Sequence, residues 1–227
     1  MINRLHSLLH RPESGWDPVD PAYALSYAER EWRNLTPQLV DRLEGWLGES
    51  LSGKRILDLG GGPGQYSVAF AQRGAMVTWH DVSGSYLRIA RQHAEVAGVQ
   101  VEFSLGYLED AKRFVDSPFD VVFNRICWYY GMDDRDFASL IYALVKPGGA
   151  AYVDANTSEF ERPAGKRRLQ YFLNDHFFCK VGHPHPPHGR TADLFNRYAV
   201  DYMIVDYTCV GNDRLFFVKS KGPTFVR

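Results

Sequence analysis

The stretch Arg55-Ile-Leu-Asp-Leu-Gly-Gly-Gly-Pro-Gly64 decides the architecture. A short apolar run, RILDL (55–59), ends in a turn of glycines and one proline, and a helical pattern to about Arg73 follows. A strand that passes through a glycine turn into a helix opens a βαβ unit. Glycine lets the chain turn sharply and lets a ligand approach the main chain. The first N–H groups of the next helix lack partners within it, so they favour an electron-rich group above the turn. A second strand, AMVTWH (75–80), ends at Asp81, 21 positions after Gly60. That spacing suits a carboxylate gripping a ribose.

Outward from this unit the alternation continues. Ser83 is placed to cap a helix carrying Leu87, Ala90, Ala94 and Ala97, which Gly98 ends. VQVEFSL (99–105) and FDVVFN (119–124) are predicted as the third and fourth strands. Phe137, Leu140, Ile141, Leu144 and Val145 give one apolar helix face, Pro147-Gly148-Gly149 stops it, and AAYVDA (150–155) is the fifth strand. Strands alternating with helices mean a mostly parallel, doubly wound α/β sheet. At the far end YMIVDYTCV (202–210), the turn GNDR (211–214) and LFFVKSK (215–221) read as an antiparallel hairpin at one sheet edge. The expected total is seven strands in a Rossmann-like sheet. Upstream, residues 1–50 read as a helical cap: Tyr23 and Tyr27 lie four apart, and Thr36 and Pro37 start a helix. Leu39, Val40, Leu43, Trp46 and Leu47 line one face of that helix, and Gly48 stops it. Residues 51–227 form the α/β domain, and the whole reads as one compact unit.

With 227 residues, 45% of them apolar, the chain can bury a large core without metal or disulfide staples. Lys and Arg number 26 against 27 Asp and Glu, a net charge of -1, which excludes a strongly basic nucleic-acid footprint. Cys127, Cys179 and Cys209 are scattered and form no CxxC, which argues against a disulfide framework and a thiolate zinc site. No apolar run is long enough to span a membrane. The expectation is a reduced, cytoplasmic protein with no membrane partner.

The glycine turn fits a dinucleotide poorly. Counted from Gly62, the third glycine of GxGxxG falls on Ser67; counted from Gly60, it falls on Gln65. Asp58 also stands where it would repel a pyrophosphate. The chain instead resembles the class I S-adenosylmethionine-dependent methyltransferases over about residues 54–155. ILDLGGGPGQYS (56–67) is similar to their DxGxGxG loop, and HDVS (80–83) to their ribose-binding acid motif. GYLED (106–110), FDVVFNRICWYY (119–130) and LVKPGGAAYV (144–153) resemble the motifs that follow in the same order. The resemblance implies S-adenosyl-L-methionine as cofactor. It implies that Asp58 and the loop of Gly60, Gly61, Gly62 and Gly64 face its methionine portion. Asp81 would accept from the ribose hydroxyls, Val82 would pack on adenine, and Leu108 and Glu109 would lie near the ring. Tyr107 stands where the family often has Asp. Asn124 and Arg125 would border the methyl-transfer cleft.

Methyl transfer is a displacement at a sulfonium carbon, so the protein supplies position, with a base added for an alcohol acceptor. Tyr129 and Tyr130 fall just past the fourth strand, placed to orient an acceptor or simply to line the pocket with Trp128. Asp154 and Asn156 end the fifth strand, but the fourth ends in Asn124 rather than an acid, so no metal is expected. His176, Cys179, His183, His185 and His188 match no zinc spacing. They read as a surface loop, as a lid in which His183, His185 or His188 serves as a base, or as a metal site; His185 is the candidate base taken forward. Arg162, Lys166, Arg167 and Arg168 open a helix bearing Leu169, Phe172, Leu173 and Phe177. They suit an anionic acceptor, a limited nucleic-acid contact, or a solvated face. Trp16, Tyr23, Tyr27 and Trp32 pack the lead-in, close it over the cofactor, or both. The favoured activity is methyl transfer to oxygen or nitrogen of a small-molecule acceptor, nucleic acid being disfavoured by the charge. An RNA or protein methyltransferase, a nicotinamide oxidoreductase and a non-catalytic cofactor-binding protein stay open, as does the oligomeric state.

Overall fold

The computed structural model describes residues 7, 9–116, 118–159, 163–206 and 208–222. A 3-10 turn at Pro12–Ser14 precedes helices α1 (Pro21–Arg33) and α2 (Pro37–Leu47). Then come β1 (Arg55–Leu59), α3 (Gln65–Gln72), β2 (Met76–Asp81), α4 (Gly84–Val96) and β3 (Val101–Leu105). A 3-10 turn at Leu108–Arg113 leads to β4 (Phe119–Arg125), and another at Trp128–Tyr130 leads to α5 (Asp134–Leu144) and β5 (Val145–Asn156). Helices α6 (Lys166–Phe177) and α7 (Arg190–Phe195) separate β5 from β6 (Val200–Val205) and β7 (Asn212–Lys219).

The strand order is β3-β2-β1-β4-β5-β7-β6, the first five parallel and β7 antiparallel to both of its neighbours. Chain order reverses between β1 and β4, and an open α/β sheet binds ligands at the carboxyl ends on either side of such a switch. Strand periodicity divides the core in two. Leu57, Leu59, Val122, Val153 and Phe217 face Phe137, Ile141 and Phe195 of α5 and α7. Ile56, Val77, Val121, Phe123, Tyr152 and Phe216 face Leu39, Val40 and Leu43 of α2 and Tyr66 and Phe70 of α3. Asp58 lies two residues from Ile56, so its carboxylate also turns toward α3. Helix α2 is thus a wall of the sheet core. Helix α1 packs Ala24 and Ala28 on Ile89 of α4.

Several element ends depart from expectation. Ser83 does cap α4, accepting from the Tyr86 N–H, and Asp20 caps α1 by accepting from the N–H groups of Ala22 and Tyr23. Thr36 occupies the cap position of α2, but its hydroxyl makes no capping bond and turns to the Asn34 carbonyl. The hairpin is shifted. β6 stops at Val205 because the Asp206 carboxylate accepts from the N–H and the hydroxyl of Thr208, closing a side-chain turn. Asn212, Asp213 and Arg214, expected as turn, belong to β7, where Asn212 and Arg214 bond Asp154.

Candidate functional site

The carboxyl end of β1 places Asp58 below the glycine loop. Its carboxylate is buried and accepts from the Ser67 hydroxyl at 2.6 Å. Burial pushes this carboxyl up to about 7, against the Ser67 bond, and the nearby Asp81 charge pushes the same way. Gly60 and Gly61 are packed so tightly on Cys127 and Trp79 that a side chain at either would collide. Gly62 differs. Its φ is 49°, and no heavy atom lies within 4 Å of where a Cβ would sit, so its main chain faces open space. Gly64, at φ 80°, backs against Ala90 of α4. Trp79 secures the loop from below, its indole N–H donating to the Gly62 carbonyl at 3.0 Å.

Asp81 accepts from the Gly62 N–H at 3.0 Å and from the Ser83 N–H at 2.9 Å. Burial raises its pKa in spite of those bonds. Among the described residues no cation pairs with it, so the carboxylate sits buried with lone pairs to spare. Hydroxyl donors would satisfy it. The open space at Gly62 and this under-supplied carboxylate fit a ribose.

Beside Asp81 stands His80, which sequence reasoning passed over. It is fully buried, with Nδ1 2.9 Å from Ser104 Oγ and Nε2 3.0 Å from the Tyr107 carbonyl, and burial lowers its pKa. The neutral ring fixes the loop after β3. Leu108 is buried in the core below that loop, and Val82 is half-buried at the end of β2. Glu109 does not stand free at an adenine edge. It accepts from the Met132 N–H at 2.5 Å and so ties this loop to the one after β4. The N-terminal segment covers the same end of the sheet. Tyr107 donates to the His10 carbonyl at 2.8 Å, and Trp16 stacks on Tyr107 at 6.0 Å. Asp17 accepts from the Ser83 hydroxyl at 2.9 Å and the Ser85 N–H at 2.7 Å. Trp32 of α1 donates to the Pro63 carbonyl at 3.1 Å, gripping the glycine loop.

On the other side, Asn124 corrects the expectation that it borders the cleft. It is fully buried, its amide donating to the Leu59 carbonyl at 2.9 Å and contacting Cys127 Sγ at 2.8 Å. The side chain braces β1 on β4. Arg125 lies partly exposed over the Tyr66 ring, 3.4 Å from Glu31 of α1 and 3.8 Å from Asp154. Ile126 takes a left-handed φ of 57° and donates its N–H to the Asp154 carbonyl at 2.6 Å. Such strain persists where the surroundings enforce it, and it turns the chain sharply out of β4.

That turn presents Tyr129 and Tyr130. Their ring centroids are 4.2 Å apart; Tyr129 meets His185 at 4.6 Å and Tyr130 meets His183 at 5.2 Å. The three candidates Tyr129, Tyr130 and His185 are therefore brought together. Burial, and then the Tyr130 hydroxyl, raise the Tyr129 pKa, so Tyr129 holds its proton. Tyr27 of α1 packs on Tyr86 of α4, ring centroids 5.6 Å apart. The other loop residues disperse: His188 pairs with Asp213 at 3.0 Å, His176 packs on Phe172, and Cys179 is exposed. Among the described residues no three His, Cys, Asp or Glu side chains converge as a metal site.

Lys180, also missed, clamps this assembly. Its buried ammonium donates to the carbonyls of Gly131 at 3.0 Å and Trp128 at 3.3 Å and pairs with Asp134 at 2.7 Å. The same Asp134 accepts from the Trp128 indole and lies 3.3 Å from Arg190.

A glycine turn at the switch of a doubly wound sheet, with a buried acid closing the next strand, is the arrangement that nucleotide-binding α/β proteins use. Residues 56–149 match the family described as "Methyltransferase domain". The ubiquinone biosynthesis O-methyltransferase of Xylella fastidiosa (strain M23) is 31% identical over 138 residues, which are 61% of this chain and 52% of that protein. The protein of the same description from Bordetella avium (strain 197N) is 34% identical over 137 residues, 59% of this chain and 52% of that one. The chain thus spans about half the length of the curated relatives it matches. A solved structure of an O-methyltransferase family protein from Burkholderia thailandensis shares the fold, with a TM-score of 0.65 and 23% identity over 90% of this chain and 61% of that chain. Over residues 56–149 the chain is similar to methyltransferase domains, and its sheet has the fold of that solved O-methyltransferase family protein.

Proposed function

We propose that the protein transfers the methyl group of S-adenosylmethionine to an oxygen of a small-molecule acceptor. The observation that carries this reading is Asp81, a buried carboxylate without a cation, beside a glycine turn open at Gly62. Oxygen is preferred to nitrogen because the similar proteins bear the printed name O-methyltransferase. When bound, the cofactor supplies a methyl group on a cationic sulfonium, which leaves as a neutral thioether.

The remaining work falls to this chain. Asp81 accepts from the ribose hydroxyls, Val82 and Leu108 flank the base, and the backbone from Gly60 to Gly62 together with Asp58 receives the methionine portion. Arg125, set at the cleft edge by Glu31 and Asp154, offers a cation to an acceptor that carries negative charge. Tyr129 and Tyr130 orient the acceptor, and His185 takes the proton from its hydroxyl. Residues 10–33 act as the cap that excludes water. A reducing cytoplasm suits the three free cysteines, and no helix among the described residues is long and apolar enough to cross a membrane.

Charge-assisted hydrogen bonds contribute about 1.5–3 kcal/mol each. Asp81→Ala should therefore weaken S-adenosylhomocysteine binding at least about tenfold in calorimetry while the circular dichroism spectrum persists. Unchanged affinity in the folded variant would remove the ribose assignment and this reading with it.

A further inference from the structure

We propose that the outer face of α6 seats the protein on a phospholipid surface bearing anionic headgroups. The inner face of α6 is firmly held. Tyr171 and Asn174 are buried, and the Arg190 guanidinium donates to the carbonyls of Asn174 at 2.6 Å and Asp175 at 2.7 Å. The outer face is exposed. Leu169 is 60% exposed, Phe172 50% and Phe177 66%, and Val181 just beyond is 40% exposed. These four come from a segment of thirteen residues, whereas the other large exposed apolar side chains among the described residues are scattered over the rest of the chain. Phe172 and Phe177 lie with ring centroids 6.0 Å apart, forming one patch.

The first turn of the same helix is Lys166, Arg167 and Arg168, all exposed. Arg162 lies outside the described residues. Cations are unfavourable at a helix N-terminus, where the helix dipole is positive, so helix stability does not account for them. A fixed helix with aromatic and aliphatic side chains outward and a cluster of cations at one end matches a bilayer interface. Apolar rings enter the acyl boundary while ammonium and guanidinium groups meet the phosphates. Nucleic acid would use the cations and leave the apolar patch exposed to water. Lipid uses both. This is a peripheral contact and requires no membrane-spanning helix. It also brings the loop of His183 and His185, which follows α6 through Lys180, close to the bilayer.

The proposal stands apart from the assigned activity, and its test reads binding to lipid alone. The full-length protein is co-sedimented with unilamellar vesicles of phosphatidylglycerol and phosphatidylcholine in equal parts, and with vesicles of phosphatidylcholine only. Wild type should pellet with the anionic vesicles and remain in solution with the neutral ones. Reversing three charges in Lys166→Glu, Arg167→Glu, Arg168→Glu should lower the partition at least about tenfold. The double variant Phe172→Ser, Phe177→Ser should lower it as well, with circular dichroism and thermal melting like wild type. A wild type that stays in the supernatant with anionic vesicles overturns the proposal, as do variants that pellet like wild type. Tighter binding to a single-stranded RNA oligomer that ignores the phenylalanine changes assigns the cations to nucleic acid and overturns it too. So does a dimer in sedimentation velocity that only the phenylalanine changes dissolve, since a second copy would then cover the face.

Discussion

Asp58 keeps its proton to about pH 7 because burial disfavours its charge more than Ser67 favours it. Its folded pKa lies above the ordinary carboxylate value, so between those two values the folded chain holds a proton that the unfolded chain has released. The stability it contributes is complete below the ordinary value and is lost as pH rises through about 7. Asp58→Asn should flatten that part of the profile, as read by urea unfolding at intervals between pH 4 and pH 8. A cationic ligand against Asp58 would draw the proton off. S-adenosylhomocysteine, which carries an ammonium group, should therefore release protons from wild type near neutral pH, and none from Asp58→Asn, in calorimetry across buffers of differing ionisation enthalpy. Neighbouring glycines separate fold from site. Gly61→Ala drives a methyl into Trp79 and should cost about 1–3 kcal/mol of stability. At Gly62 a Cβ meets no protein atom, although the left-handed φ of 49° strains a branched residue; Gly62→Val should lose cofactor binding with far-UV circular dichroism largely kept, and retained binding would place the loop elsewhere. Asp58, Asp81 and the glycines were legible because their partners lie within one βαβ unit. His80 and Lys180 were not, since Ser104, Tyr107, Trp128 and Gly131 reach them only through tertiary contact. Asn124 was read as a cleft residue because position along a strand says nothing about which neighbour its amide will meet.

At the level of elements, alternation of apolar runs with helical periods disclosed the sheet and its hairpin, because sheet and helix burial impose different repeats. Ends were less legible. Asp206 stopped β6 early through a bond to Thr208, and Thr36 left its cap unmade, both choices between competing local hydrogen bonds. The loop after α6 looked like an isolated histidine-rich segment, yet Lys180 fastens it to the turn after β4. Lys180→Met leaves Asp134 without its buried ammonium partner and two carbonyls without a donor. Loss of one partner of a buried pair costs about 3–5 kcal/mol. The variant should show that loss in urea unfolding, together with faster hydrogen exchange in residues 128–133 and 178–189. Normal stability would mean that water replaces the ammonium without cost.

Across the whole molecule, the cap packs α1 along α4 and also meets the domain at the ligand end of the sheet. Asp17 bonds the start of α4, Trp32 bonds the glycine turn, and Glu31 pairs with Arg125. Each of these partners lies beside a candidate cofactor or acceptor residue, so filling the cleft and settling the cap should be coupled. Hydrogen exchange over residues 9–35 should slow when S-adenosylhomocysteine binds. Exchange indifferent to ligand would reduce Trp16, Tyr23, Tyr27 and Trp32 to packing.

One consequence of the strand order concerns synthesis. β7 follows every other strand along the chain, yet it lies inside the sheet between β5 and β6. Its adjacent residues Phe216 and Phe217 point to opposite faces and complete one core each. While a ribosome is making this protein, both cores stay open on one side and the edge of β5 stays unpaired until β7 emerges. From the emergence of β5 to that of β7 the nascent chain thus carries an unpaired strand edge beside two unfinished cores. The sheet closes late, by insertion of a single ribbon, and a message cut short before β7 yields a product with neither core finished, marked for chaperones or proteases.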